Sequence, residues 1–196
     1  MNPMIYTIGH SNHDIVAFIG LLRQSGVTAL CDVRSHPYSR YVPQFSQDAL
    51  KVSLSSAGIA YVFLGMELGV RSKNPACYRQ GKVQYECLAL EPIFAEGLKR
   101  VKQGMDHYRI VLMCTEKDPL DCHRALLVSR KLFEDGVSVS HIHADGSIEL
   151  HQAMESRLLA QCKLPEGDMF RERSDFLSQA YLIQSGRVAY QNDLIE

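Results

Sequence analysis

Two hydrophobic periods alternate along the chain. Met4-Ile5-Tyr6-Thr7-Ile8 is a short β-prone run that breaks at Gly9-His10-Ser11-Asn12, and beyond it Ile15, Phe18, Ile19 and Leu22 recur at helical spacing from Asp14 to Gln24. Gly26 stops that helix. The cycle repeats, with Thr28 to Val33 as a strand, a loop through Pro37 and Pro43, a helix from about Ser46 to Ala57 closed by Gly58, and a third strand over Ile59 to Leu64. An irregular Gly-rich and basic segment follows from Gly65 to about Gln84, long enough to be a candidate lid. A helix from about Glu86 or Pro92 to Lys102 leads into the strongest strand, Tyr108 to Met113. His123 to Phe133 is then helical, Gly136 ends it, and Val137 to His143 is a fifth strand. Ile148 to Cys162 reads as a further helix, and after Leu164 to Gly167 comes a short helix through Leu177 and Tyr181 and a strand-like Arg187 to Tyr190.

Strands alternating with helices predict an α/β fold, because parallel neighbours need a long crossover and a helix supplies it. The expectation is an open, mainly parallel sheet of about five strands with helices on both faces. One domain spans 1–196, with a core over 1–162 and a C-terminal helix-strand appendage over 163–196 packed on it.

Composition narrows the function. The net charge of −1, with acids and bases interspersed, leaves no broad basic field for nucleic acid, which is therefore not the favoured partner. No apolar stretch has the length to cross a bilayer, and MNPMIYTIGH lacks a basic segment followed by a long apolar one, so a cytoplasmic protein without a membrane partner is expected. The six cysteines, at 31, 77, 87, 114, 122 and 162, are too irregular for a secreted disulfide framework and are expected to be mostly thiols. Any cysteine function is then catalytic, redox or metal-binding.

In such a sheet the residues just past the carboxyl ends of the strands share one rim, where ligands bind. Those ends carry Gly9, His10 and Ser11; Asp32, Arg34, Ser35 and His36; Gly65; Cys114, Thr115 and Glu116; and His143 and Asp145. The opposite ends carry the blander Asn2, Thr28, Gly58 and Tyr108. Within the densest stretch, MCTEKDPLDCHR, Asp118-Pro119 is a good helix start and places Cys122, His123 and Arg124 in a first turn, where unpaired N–H groups favour a thiolate. Cys114 ends the preceding strand and faces the same space. An arginine six positions after Cys114, as a phosphatase-type loop requires, is absent, since Leu120 stands there. Cys114 and Cys122 are also too far apart for a CxxC motif, which disfavours a redox pair of thioredoxin type and a zinc knuckle; a metal site of Cys114, Cys122, His123 and His10 is conceivable but not expected.

Thr7-Ile8-Gly9-His10-Ser11, Asp32-Val33-Arg34 with Pro37, Ser39-Arg40 and Phe45, Leu68-Gly69 before Arg71, and Cys114-Thr115-Glu116 with Cys122-His123-Arg124 together resemble the domain-of-unknown-function 488 family. The resemblance implies an α/β fold and a cysteine-bearing site. A looser likeness links the DVR strand and the strand ending in cysteine to rhodanese-type domains, as analogy only. The resulting expectation is a cysteine-dependent enzyme that uses Cys114, Cys122, His123 and His10 on a small anionic or nucleotide-like substrate, by sulfur transfer or hydrolysis. Ser11, Asp32, Arg34, Ser39, Arg40, Phe45, Glu116, Arg124 and Arg71 are the expected substrate-binding residues, with no cofactor or metal required. The alternatives are a nucleotide- or nucleic-acid-binding module with stacking aromatics Tyr38, Tyr41, Phe45 and Tyr78, and a thiol redox sensor built on Cys114 and Cys122.

Overall fold

The apolar runs lie side by side in a computed structural model that describes residues 4–192. In chain order the strands are β1 (Met4–Gly9), β2 (Ala29–Asp32), β3 (Ala60–Phe63), β4 (Tyr78–Arg79), β5 (Lys82–Val83), β6 (Ile110–Cys114), β7 (Ser138–Ile142) and β8 (Ile148–Leu150). The helices are α1 (Ile15–Gln24), α2 (Gln47–Ser56), α3 (Gly65–Leu68), α4 (Tyr85–Leu88), α5 (Pro92–Gly104), α6 (Arg130–Glu134), α7 (His151–Gln161) and α8 (Arg173–Val188). Six strands make the main sheet in the order β3-β2-β6-β1-β7-β8, parallel except for β8, while β4 and β5 form a separate hairpin.

Both faces of the sheet are covered, which is why β2 and β6 are buried along their whole length. Successive side chains on β6 alternate between the two cores. Val111 and Met113 pack with Phe18 and Leu22 of α1 and Leu50 and Leu54 of α2. Ile110, Leu112 and Cys114 enter the larger core with Leu98 of α5, Leu132 of α6, Leu158 of α7 and Tyr181 of α8. That alternation sends the Cys114 sulfur to the α6–α8 side of the sheet. The adjacent strands β1 and β6 are followed by helical segments on opposite faces, so a crevice opens at their carboxyl ends.

Four local expectations are corrected. The sheet has a sixth strand, because Gly146 at φ 85° turns the chain after Asp145 and pairs Ile148–Leu150 antiparallel to β7, so the helix begins at His151 and not at Ile148. Of the strand-like Arg187 to Tyr190, Arg187 and Val188 are instead the last turn of α8, and the chain then runs along the small hairpin, where Gln191 bridges to Lys82. The irregular 65–84 segment contains α3, a 3₁₀ turn at Pro75–Cys77 and the β4–β5 hairpin. Its closing end is fastened by a disulfide between Cys77 and Cys87, two cysteines expected as thiols. Cys31, Cys114, Cys122 and Cys162 are free.

The fourth correction concerns MCTEKDPLDCHR. Asp118 does cap a turn, accepting the Leu120 N–H at 2.8 Å, but that turn is only the 3₁₀ segment Pro119–Asp121. Cys122 follows in extended conformation and is not in a first helical turn. Its carbonyl accepts the Ala125 and Leu126 N–H groups, so Cys122 itself stands in the capping position of the next helical segment, which opens with a wide π-type turn over Arg124–Ser129.

Candidate functional site

Cys114 is brought to the crevice by β6 and held there by the backbone of its neighbour. His10 and Ser11 donate their N–H groups to the carbonyls of Cys114 and Thr115, both at 2.9 Å, which extends the β1–β6 ladder past the end of each strand. Gly9 makes this approach achievable: a Cβ there would lie 1.8 Å from the Glu116 carbonyl oxygen. On the far side, the fully buried Arg124 donates to the carbonyls of Glu116 (2.6 Å) and Lys117 (3.2 Å). Arg157 forks onto Asp118 at 2.8 and 3.0 Å, and Gln184 of α8 donates to the Leu120 carbonyl at 2.9 Å. The loop from Cys114 to Cys122 is thus fastened from four directions.

The loop brings two sulfurs and an imidazole together. Nδ1 of His123 lies 3.7 Å from the Cys114 sulfur and 3.9 Å from the Cys122 sulfur, and the ligating atoms of all three residues are within 4.8 Å of one another. Nε2 of His123 faces the Val33 carbonyl at 3.1 Å. Since that carbonyl can only accept, Nε2 carries a hydrogen and Nδ1 is the atom presented to the sulfurs. The Cys122 sulfur also accepts the Arg124 N–H at 3.4 Å.

Electrostatics divides the two thiols. Burial raises Cys114 well above the ordinary thiol range, and the adjacent Cys122 raises it further. Burial opposes ionisation of Cys122 as well, but a hydrogen bond from Cys114, the Arg124 charge and His123 hold it well below that range. His123 is lifted against its own burial by Cys122, and Glu116 is raised first by burial and then by Cys122. The same surroundings thus push the two sulfurs in opposite directions, Cys114 up and Cys122 down.

Beside this cluster is a cavity of about 280 Å³. Cys114, Thr115, Glu116, Asp121 and His123 form one wall, Arg34, Ser35 and His36 a second, and Val70, Arg71, Tyr85, Val188 and Tyr190 the remainder. Arg34 is almost completely buried and is oriented by Asp32, to which it gives Nε (2.9 Å) and Nη2 (2.6 Å). Nη2 also donates to the Phe45 carbonyl and Nη1 to Nε2 of His10 at 3.1 Å. Four of its five guanidinium N–H groups are engaged, leaving one on Nη1 for the cavity. Tyr61 donates to the same Asp32 carboxylate at 2.9 Å.

The remaining expected site residues divide by position. His10 stacks on Phe45 with ring centroids 4.4 Å apart, and its Nδ1 faces the Ser11 carbonyl. Burial and Arg34 lower its pKa to about 4, so it is a neutral ring that orients Arg34. Phe45 is core, and Arg124 anchors the loop from beneath. Arg71 reaches the cavity and lies over the Tyr190 ring at 4.7 Å. The Ser11 hydroxyl donates locally to Asn12, the Ser39 hydroxyl accepts from the Val42 N–H within its own loop, and the exposed Arg40 pairs with Tyr41; none of the three lines the cavity. His143 and Asp145 lie in the β7–β8 turn, where His143 pairs with Glu149. Tyr85, Val188 and Tyr190 were not expected, and no local pattern marks them. The Val83 N–H donates to the Tyr190 carbonyl, a contact that brings the end of the chain to the cavity and depends on residues over a hundred positions apart.

Fold and site together define an open α/β protein of the doubly wound kind, with a Cys-Cys-His cluster and a buried arginine at the carboxyl edge of its parallel strands. The family model for "Domain of unknown function DUF488" matches residues 14–131, more than half of the chain, and the chain belongs to that family. No curated protein and no solved structure matches it. Among the described residues no helix is long and apolar enough to cross a membrane.

Proposed function

We propose that the chain is a cysteine-dependent enzyme acting on a small anionic or nucleotide-like substrate. The observation that carries the reading is the convergence of Cys114, His123 and Arg34 on one cavity from three separate segments. Cys114 is the attacking sulfur, because of the two clustered cysteines it is the one that lines the cavity. Arg34 and Arg71 attract and orient the anionic group, with Arg34 held rigid by Asp32. Cys114 forms a bond to the electrophilic atom of the substrate as its proton passes to Nδ1 of His123, and the leaving group departs with the bonding electrons and accepts that proton. Water completes a hydrolysis. In sulfur transfer the electrophile is a sulfane sulfur, Cys114 becomes a persulfide, and an external thiol or cyanide removes it.

Two probes test this. Incubation with thiosulfate, or with a panel of activated esters, followed by intact mass and peptide mapping should show an adduct on Cys114 that is lost in Cys114→Ser and in Arg34→Met. Absence of any adduct or turnover with either probe set, in protein shown to be folded, overturns the reading. The proximity of the Cys114 and Cys122 sulfurs also favours a second reading, a thiol switch. Peptide mapping after mild peroxide should then find Cys114 linked to Cys122, and two sulfenic acids without a link exclude it.

A further inference from the structure

The Cys-Cys-His cluster has a geometry that covalent chemistry does not require. Around a tetrahedral zinc ion, with Zn–S bonds near 2.3 Å and Zn–N bonds near 2.0–2.1 Å, sulfur and nitrogen stand about 3.6 Å apart. Nδ1 of His123 is 3.7 and 3.9 Å from the two sulfurs. Those separations are within reach of hydrogen bonds to sulfur, but Nδ1, with the ring hydrogen on Nε2, has one lone pair and cannot accept from both sulfurs at once. We infer that Cys114, Cys122 and His123 form a binding site for a thiophilic divalent cation, zinc above all, with a fourth coordination position open to the cavity.

Three further features fit this reading. The Val33 carbonyl fixes the hydrogen of His123 on Nε2, so Nδ1 offers a lone pair to the space between the sulfurs, as the outer-shell partner of a metal-bound histidine does. Oε2 of Glu116, on the cavity wall, is buried with no hydrogen-bond partner and lies beside both cysteines. It supplies an acceptor next to the open position, where water or an atom of a ligand would complete the shell. Two thiolates and one dication also cancel, so a loaded cluster is neutral in a buried place where two bare thiolates would repel. His10 is not a member, since Nδ1 faces the Ser11 carbonyl and Nε2 faces Arg34.

The sequence spacing hides the site. Its ligands come from a strand end and from a helix cap eight positions later, with an intervening turn that no zinc-knuckle pattern contains. The inference stands on donor geometry and does not depend on covalent catalysis. It does place the two in competition, because sulfurs engaged with a cation cannot attack a substrate.

The test uses the full chain, stripped with a chelator under reducing conditions and checked for its fold by circular dichroism. Titration with cobalt(II) should give sulfur-to-cobalt charge-transfer bands that saturate at a single equivalent and are displaced by zinc. Zinc should shield Cys114 and Cys122 from alkylation while leaving Cys162, the half-buried free cysteine, as reactive as before. Cys122→Ser or His123→Ala should weaken zinc binding by more than the roughly 10–100-fold that loss of an outer-shell partner costs, and Cys162→Ser should not change it. Folded wild-type protein that shows no such bands, or that loses them in Cys162→Ser, overturns the inference whatever the variants do. Failure to bind metal leaves the adduct on Cys114 to be found or not, so the two readings fail separately.

Discussion

Removing the charge of Asp32 should damage the protein well beyond the loss of one ion pair. Asp32 is wholly buried and accepts from the Arg34 N–H, Nε and Nη2 and from the Tyr61 hydroxyl, at 2.6 to 3.1 Å. Arg34 is only 5% exposed, so solvent screening gives little relief to a guanidinium left without its counter-ion. Breaking a buried pair from one side costs about 3–5 kcal/mol, against a total stability of about 5–15 kcal/mol for a typical domain. Asp32→Leu should therefore lower the thermal midpoint by roughly 6–20 °C in a chain of this size. Asp32→Leu combined with Arg34→Met removes both charges and restores apolar contact, so it should be clearly more stable than Asp32→Leu alone. Urea unfolding followed by circular dichroism gives both values in one double-mutant cycle. A cost below about 1 kcal/mol for Asp32→Leu, or a double variant as unstable as the sum of the singles, would refute the buried-pair reasoning.

A buried chain of polar groups on the other side of the sheet runs from Thr7 through His141, His151 and Tyr181 to Glu155, with links of 2.8 to 3.1 Å. Burial holds His151 at a pKa of about 4 and His141 well below its usual value, with Arg124, Arg130, Arg157, His143, Glu134 and Glu149 as the charged or titratable groups acting on them. The unfolded chain binds these protons first, so stability should fall as pH drops from about 6.5 towards 4, by at most about 1.4 kcal/mol per unit for each histidine; urea midpoints that do not move over that range contradict it. Replacing Cys77 and Cys87 by alanine opens a loop of 10 residues and should cost up to about 3 kcal/mol, seen as a lower urea midpoint that reductant no longer affects. Gly9→Ala drives a methyl group into the Glu116 carbonyl and should cost about 1–3 kcal/mol or more while shifting the loop that carries Cys114; unchanged stability and unchanged cysteine alkylation rates would show that the approach is looser than 1.8 Å.

The α/β architecture was legible because it rests on local periodicity. The helix from Asp14 begins one residue later with Asp14 as its cap, and the strand expected over Tyr108 to Met113 is the fully buried β6, shifted to Ile110–Cys114. The missed strand β8 had a local signal in Asp145-Gly146, a hairpin dipeptide overridden by the helical spacing beyond it. The candidate site was legible in part, since Cys114, Glu116, His123, Arg34 and Arg71 line one cavity. Ser11, Ser39 and Arg40 share polar character and rim-side position with them, yet their side chains engage their own loops.

By itself the sequence determined the alternation of strand and helix, the rim on which reactive groups collect, and the turn capped by Asp118, all of which follow from residues a few positions apart. Only the tertiary structure decided which cysteine faces the cavity, that His10 is occupied with Arg34, and that Tyr190 closes the pocket from the far end of the chain. The reason is physical. Direction of a side chain, burial of a charge and separation of two sulfurs depend on strand order and helix placement, which fix distances between residues that local propensity never relates.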